Sequence, residues 1–180
     1  MATKNGGCMG KILQIDLTTE TAKEYPFTDQ QRRETLGGKA LADHILHKEL
    51  TGDKLPFSEE NLVILSTGPL TGTGAPGSVR FDITTLSPKT GLPMSSNCGS
   101  SLGLYLKKAG YDALILSGRC KTHRWLEILE DQIPFHDANP LGAPAPEHAV
   151  RCSLTDWTML LTAACVSVLP EKIYFLPPQP

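Results

Sequence analysis

The chain has 180 residues, a formal net charge of −2 and five cysteines, with few aromatic residues. A chain of this size can bury a core as one domain or a little more. Near-balanced charge excludes the polybasic footprint of nucleic-acid binders and the acidic tail of a charge-driven partner. No apolar run is long enough to span a bilayer, and the opening "MATKNGGCMGK" lacks the apolar centre of a secretory signal, so a cytoplasmic, non-membrane protein is expected. The cysteines at 8, 98, 120, 152 and 165 are scattered without a Cys-x-x-Cys pair, which suits reduced thiols and supplies neither a zinc nor an iron–sulfur spacing.

In chain order, Lys11–Leu17 ("KILQIDL") and a short segment towards Tyr25, separated by "TTETAK", predict an opening hairpin. Thr28 or Asp29 can cap a helix through "QQRRETL" that Gly37-Gly38 stops, and Leu41, Ala42, Ile45, Leu46 and Leu50 then recur at helical spacing on a second helix. Leu62–Leu65 ("LVIL") reads as a buried strand and Val79–Leu86 as another. A loop is expected to run on to Ser96, with Leu102–Lys108 a helix stopped at Gly110. "ALILSG" predicts a further buried strand. "RWLEILEDQIPFH" predicts two strands around Asp131, the second confined to an edge by Pro134. These elements make a sheet-rich α+β body over residues 1–141. Ala143-Pro144-Ala145-Pro146 marks a linker, and 142–180 is expected to be a poorly ordered tail whose apolar run after Trp157 offers at most a partner-binding segment.

Two stretches carry candidate chemistry. Thr67–Gly91 ("TGPLTGTGAPGSVRFDITTLSPKTG") has glycines that let backbone amides approach an anion, but no Gly-Lys-Ser/Thr follows. Its Gly72-x-Gly74-x-x-Gly77 leads into a strand rather than a helix, which argues against a dinucleotide loop. Arg80, at the mouth of that strand, can donate several hydrogen bonds to a phosphate or a polar ring; the alternative is a solvated arginine on an edge. In "SSNCGSSLGLYLKKAG", Ser95, Ser96 and Asn97 are suited to capping a helix and Gly99 to close backbone approach. Cys98 would there have a depressed pKa and serve as a nucleophile if a base were near, but no spacing ties His44, His47 or His123 to it, and a bystander thiol is the competing reading.

"MGKILQIDLTT", "LGGKALA", "STGPLTGTGAPGSVRF", "SPKTG", "SNCGS" and "LKKAGYDALILSG" occur in an order and spacing that resembles the amino-terminal domain of the tungsten-containing aldehyde ferredoxin oxidoreductases, over about residues 10–141. The resemblance implies a domain on which a tungsten or molybdenum bis-pterin sits, its phosphates bridged by magnesium. By matching positions, Arg80 would contact the pterin, Asn97 would present a backbone carbonyl to the magnesium and Gly99 would lie against the cofactor. It also implies an aldehyde (or related oxo compound) as substrate, a 4Fe-4S cluster, a ferredoxin-type electron acceptor and the family's usual homodimer, a separately encoded remainder of the enzyme being the other expected partner. The chain departs from the family pattern at Cys98, where a small residue is usual, and at Gly99-Ser100, where the family has a Gly-Gly pair. The Cys-x-x-Cys-x-x-x-Cys set of the cluster does not occur in this sequence, and "GAPAPEHAVRCSLTDW" replaces the expected continuation after Leu141. The text after that point resembles an out-of-frame or shortened product, so the chain alone is not expected to be active. A catalytically inert remnant, or a module that binds an anion or a partner, is the rival reading.

Overall fold

A computed structural model describes residues 6–50, 54–99, 101–121, 124–128, 133–137, 159–162, 167–169 and 172–174. Contacts divide the chain into two units, 1–119 and 120–180.

The first unit opens with the expected hairpin, β1 (Ile12–Asp16) pairing antiparallel with β2 (Thr21–Glu24). Asp16 makes its turn, since Oδ1 accepts from the amides of Thr18 at 2.8 Å and Thr19 at 3.3 Å. Helix α1 (Asp29–Thr35) starts on a capping box: the Gln31 amide donates to Thr28 Oγ1 at 3.2 Å, and the Thr28 amide donates to Gln31 Oε1 at 2.9 Å. Helix α2 (Gly38–Glu49) follows after the double glycine and buries Leu41, Ala42, Ile45 and Leu46, the i, i+4 stripe visible in the sequence.

Strands β3 (Val63–Thr67), β4 (Arg80–Leu86), β5 (Pro93–Gly99) and β6 (Ala113–Ser117), with helix α3 (Leu102–Lys108) before the last, complete this unit. Its six-stranded sheet runs β2-β1-β6-β3-β4-β5; β1 and β6 are parallel and every other neighbouring pair is antiparallel. The central strand β6, apolar along its length, is almost fully buried, as a strand covered on both faces must be. Helix α2 covers the face that carries Ile12, Ile64, Ala113 and Ile115. Helix α3 packs on the opposite face, where a Cβ added to Gly103 would come 3.2 Å from Phe81 Cβ. Burial of these two apolar layers is the main source of the unit's stability.

One expectation is corrected here. The segment read as a loop running to Ser96 turns back and pairs along its length with β4, from Leu86↔Pro93 to Arg80↔Gly99. Ser95, Ser96 and Asn97 are therefore strand residues, and α3 starts later, with Ser101 at its N-cap and no side-chain capping bond. The cause is tertiary: β5 is short of apolar side chains because it lies at the sheet edge, and its strand conformation comes from the β4 ladder rather than from propensity.

In the second unit β7 (Arg124–Ile128) and β8 (Phe135–Asp137) form the expected antiparallel hairpin, with β8 at the edge as Pro134 requires. The turn at Asp131 lies outside the described residues. Leu126 and Ile128 are buried. The sheet continues through β9 (Met159–Thr162), β10 (Ser167–Leu169) and β11 (Lys172–Tyr174) in the order β10-β11-β9-β7-β8. The boundary expected at residue 142 and most of the expected tail lie outside the described residues.

Candidate functional site

The antiparallel register of β4 and β5 sets Arg80 opposite Gly99 and Asp82 opposite Asn97. Side chains two apart on a strand share a face, so these four residues form one cluster at the sheet edge, on the side covered by α2. Arg80 and Asn97 are exposed, and Asp82 is half-buried. Arg80 donates from Nε to Asn97 Oδ1, and Asn97 donates from Nδ2 to Asp82 Oδ1 at 2.9 Å. The terminal nitrogens of Arg80 make no hydrogen bond among the described residues. A Cβ added to Gly99 would lie 3.7 Å from Arg80 Nη1, an ordinary contact, so the glycine matters to a ligand approaching the guanidinium and not to the packing of the chain itself.

This arrangement suits an anionic or polar planar group. An exposed guanidinium held by one nitrogen presents its remaining donors in a fixed fork, and a side chain that does not crowd it is needed opposite. A divalent cation finds fewer donors: among the described residues no three His, Cys, Asp or Glu side chains converge, and Asp82 is the carboxylate beside Asn97. Magnesium could use a backbone carbonyl, water and the oxygens of a phosphate-bearing ligand without a carboxylate cage.

The glycine-rich loop before β4 folds on itself. The amides of Thr71, Thr73 and Ser78 donate to the carbonyls of Gly68, Leu70 and Ala75 at 3.1, 3.1 and 3.2 Å, so these amides are engaged in turns instead of converging on one point. Thr71 Oγ1 donates to the Arg80 carbonyl at 3.2 Å and ties the loop to the start of β4.

The cysteine reading is not assembled. Cys98 lies on β5 opposite Phe81, on the other face from Asn97 and Gly99, and α3 does not begin until Leu102. His44 sits with its Nε2 3.2 Å from Gln31 Nε2 and its ring edge-on to Phe27 at 5.9 Å, away from Cys98; His47 is on the exposed side of α2. His123 lies outside the described residues.

Sequence reasoning missed two features. Asp82 was legible only as the residue two along from Arg80, a spacing that puts both on one face once the strand is known. The second is a buried charged group: Lys107 pairs with Asp112, whose Oδ1 and Oδ2 accept the amides of Met9 at 2.9 Å and Gly10 at 2.7 Å. It borders a cleft with Cys8, Arg32, Gly37 and Pro69. Burial, aided by Asp112, pushes the Cys8 thiol pKa up, against the opposing pull of Lys107 and Arg32.

The fold and the sequence place this domain in a known family. The chain belongs to the family described as aldehyde ferredoxin oxidoreductase, N-terminal domain, which matches residues 12–156. It is 39% identical over 133 residues to a tungsten-containing aldehyde ferredoxin oxidoreductase of Pyrococcus abyssi, covering 74% of this chain and 22% of that one. It is 41% identical over 133 residues to an aliphatic sulfonate oxidoreductase, WOR-like subunit, of Pyrococcus furiosus, covering 72% of this chain and 21% of that one. Among solved structures, the active-site complex BamBC of benzoyl coenzyme A reductase, with bound 1,5-dienoyl-CoA, is similar with a TM-score of 0.75 and 34% identity, covering 81% of this chain and 22% of that chain. The chain thus spans about a fifth of the length of the relatives it matches. Among the described residues no helix is long and apolar enough to cross a membrane.

Proposed function

We propose that the β4–β5 edge is part of the cradle for a tungsten or molybdenum bis-pterin in an oxidoreductase acting on aldehydes or related oxo compounds. The observation that carries the reading is the juxtaposition of Arg80, Asn97 and Gly99 across one strand pair, in a chain of this family. Arg80 donates from its unbonded terminal nitrogens to the pterin or its phosphate. Gly99 leaves the clearance for a flat ring, and Asn97, on the edge strand, offers a backbone carbonyl towards a phosphate-bound magnesium. When bound, the metal–pterin group supplies a two-electron oxidation, while the protein contributes position and electrostatics. Electrons would pass through a 4Fe-4S cluster, held by cysteines that this sequence does not contain, to a ferredoxin-type carrier. The remaining four-fifths of the relatives' length, separately encoded, would complete the enzyme, and a homodimer is the assembly it would form. Cysteines scattered along the sequence without a Cys-x-x-Cys pair suit a cytoplasmic setting.

Calorimetric titration with 6-hydroxymethylpterin phosphate and magnesium tests the reading. Arg80→Ala should weaken binding by about 1.5–3 kcal/mol, the worth of a charge-assisted hydrogen bond, and Gly99→Val should block it sterically. Equal affinities for all three proteins would make these residues surface bystanders.

A further inference from the structure

The same cluster contains a carboxylate where an anion site would be expected to avoid one. We infer that Asp82 is a positioning residue: through Asn97 it fixes the orientation of Arg80 and so sets which guanidinium donors face the ligand. The inference rests on the cradle proposed above.

An asparagine amide can point either way, and its neighbours decide. Here one side is a donor, Arg80 Nε–H, and the other an acceptor, Asp82 Oδ1 at 2.9 Å from Asn97 Nδ2. Only the orientation with oxygen towards arginine and nitrogen towards aspartate satisfies both. Asp82 is itself confined. A Cβ added to Gly38, the first residue of α2, would stand 3.1 Å from Asp82 Oδ2, at a backbone φ of +56° that also favours glycine. The N-terminus of α2 has neither a side-chain cap nor an acidic residue in its first turn, so the Asp82 carboxylate supplies the negative charge that the helix end favours. A line of contacts therefore runs from the half-buried start of α2 through Asp82 and Asn97 to the exposed Arg80. It takes up Nε and leaves both terminal nitrogens for a ligand. Without Asp82 the Asn97 amide is held only by the long 3.4 Å bond from Nδ2 to the Phe81 carbonyl, and when it turns its NH₂ towards Arg80 two donors face each other.

Positioning and plain charge predict opposite signs. If Asp82 acts only as a negative charge near the site, Asp82→Ala should tighten binding of 6-hydroxymethylpterin phosphate. If it positions Arg80, Asp82→Ala should weaken binding several-fold although a repulsive charge has gone, while Asp82→Asn, which keeps an acceptor oxygen, should retain or improve the affinity. A ligand-free readout separates this from failure of the cradle. In a ¹⁵N-labelled chain the Arg80 Nε–H should exchange slowly with water, about tenfold faster in Asp82→Ala and near the wild-type rate in Asp82→Asn. In the wild-type chain one Asn97 amide proton should likewise be protected, a measurement that needs no variant. Tighter or unchanged binding by Asp82→Ala together with unchanged Arg80 exchange, or two unprotected Asn97 amide protons, would overturn the inference. Slow Arg80 exchange with no pterin binding would support the positioning and reject the cradle.

Discussion

Lys107, at the end of α3, and Asp112, at the entry to β6, form a buried ion pair across the turn at Gly110. Both charges are also paid for by backbone partners: Lys107 Nζ donates to the Gly7 carbonyl at 2.8 Å, and Asp112 accepts the Met9 and Gly10 amides. The pair straps residues 7–10 to the end of the sheet. Removing one partner leaves the other charge buried alone, which costs about 3–5 kcal/mol. Asp112→Ala should therefore be far less stable in urea unfolding than wild type, with faster hydrogen exchange at Met9 and Gly10. A loss below about 1 kcal/mol would show that the strap is solvated.

Leu36 and Gly37, adjacent at the α1–α2 junction, should respond oppositely to substitution. Leu36 closes α1 at a φ of 60° with its side chain 68% exposed, so it bears left-handed strain with little packing in return. Leu36→Gly should be neutral to stabilising, by up to about 1 kcal/mol. Gly37 has φ +127°, and an added Cβ would approach the Thr67 carbonyl oxygen to 2.7 Å. Gly37→Ala should destabilise by about 1–3 kcal/mol. Thermal melts of the two variants check the contrast; equal shifts would contradict it.

Cys8 gives a pH signature. Its folded pKa lies above the ordinary thiol value of 9.0, mainly through burial. The folded state therefore keeps the proton to higher pH than the unfolded state does. The resulting stabilisation is complete below 9.0 and is lost as the pH rises through the folded value. Iodoacetamide should alkylate Cys8 with a midpoint above 9.0, and Cys8→Ala should lose less stability than wild type between neutral pH and that midpoint. A midpoint at or below the ordinary value would contradict the burial.

Elements with their own pattern were legible in the sequence. The Leu41–Leu46 stripe marked α2, "LVIL" marked β3, and Thr28 marked the start of α1, because each signal is local to the residues that form the element. Strand β5 was not, since "MSSNCG" has no apolar alternation and is held by pairing with β4. The same reason hid Asp82: its contact with Asn97 exists only in the hairpin register. The Lys107–Asp112 block was visible as a motif, but its structural role depends on residues 7–10, which lie far away in the sequence.

The measurement that bears most directly on the central claim is a ¹H–¹⁵N titration of the chain with 6-hydroxymethylpterin phosphate in the presence of magnesium. The cradle predicts saturable shifts concentrated at Arg80, Asn97 and Gly99, including the Arg80 side-chain Nε–H, and abolished by Gly99→Val. Shifts confined to the 68–79 loop or to the Cys8–Arg32 cleft, or no saturable shifts in the chain, would contradict it.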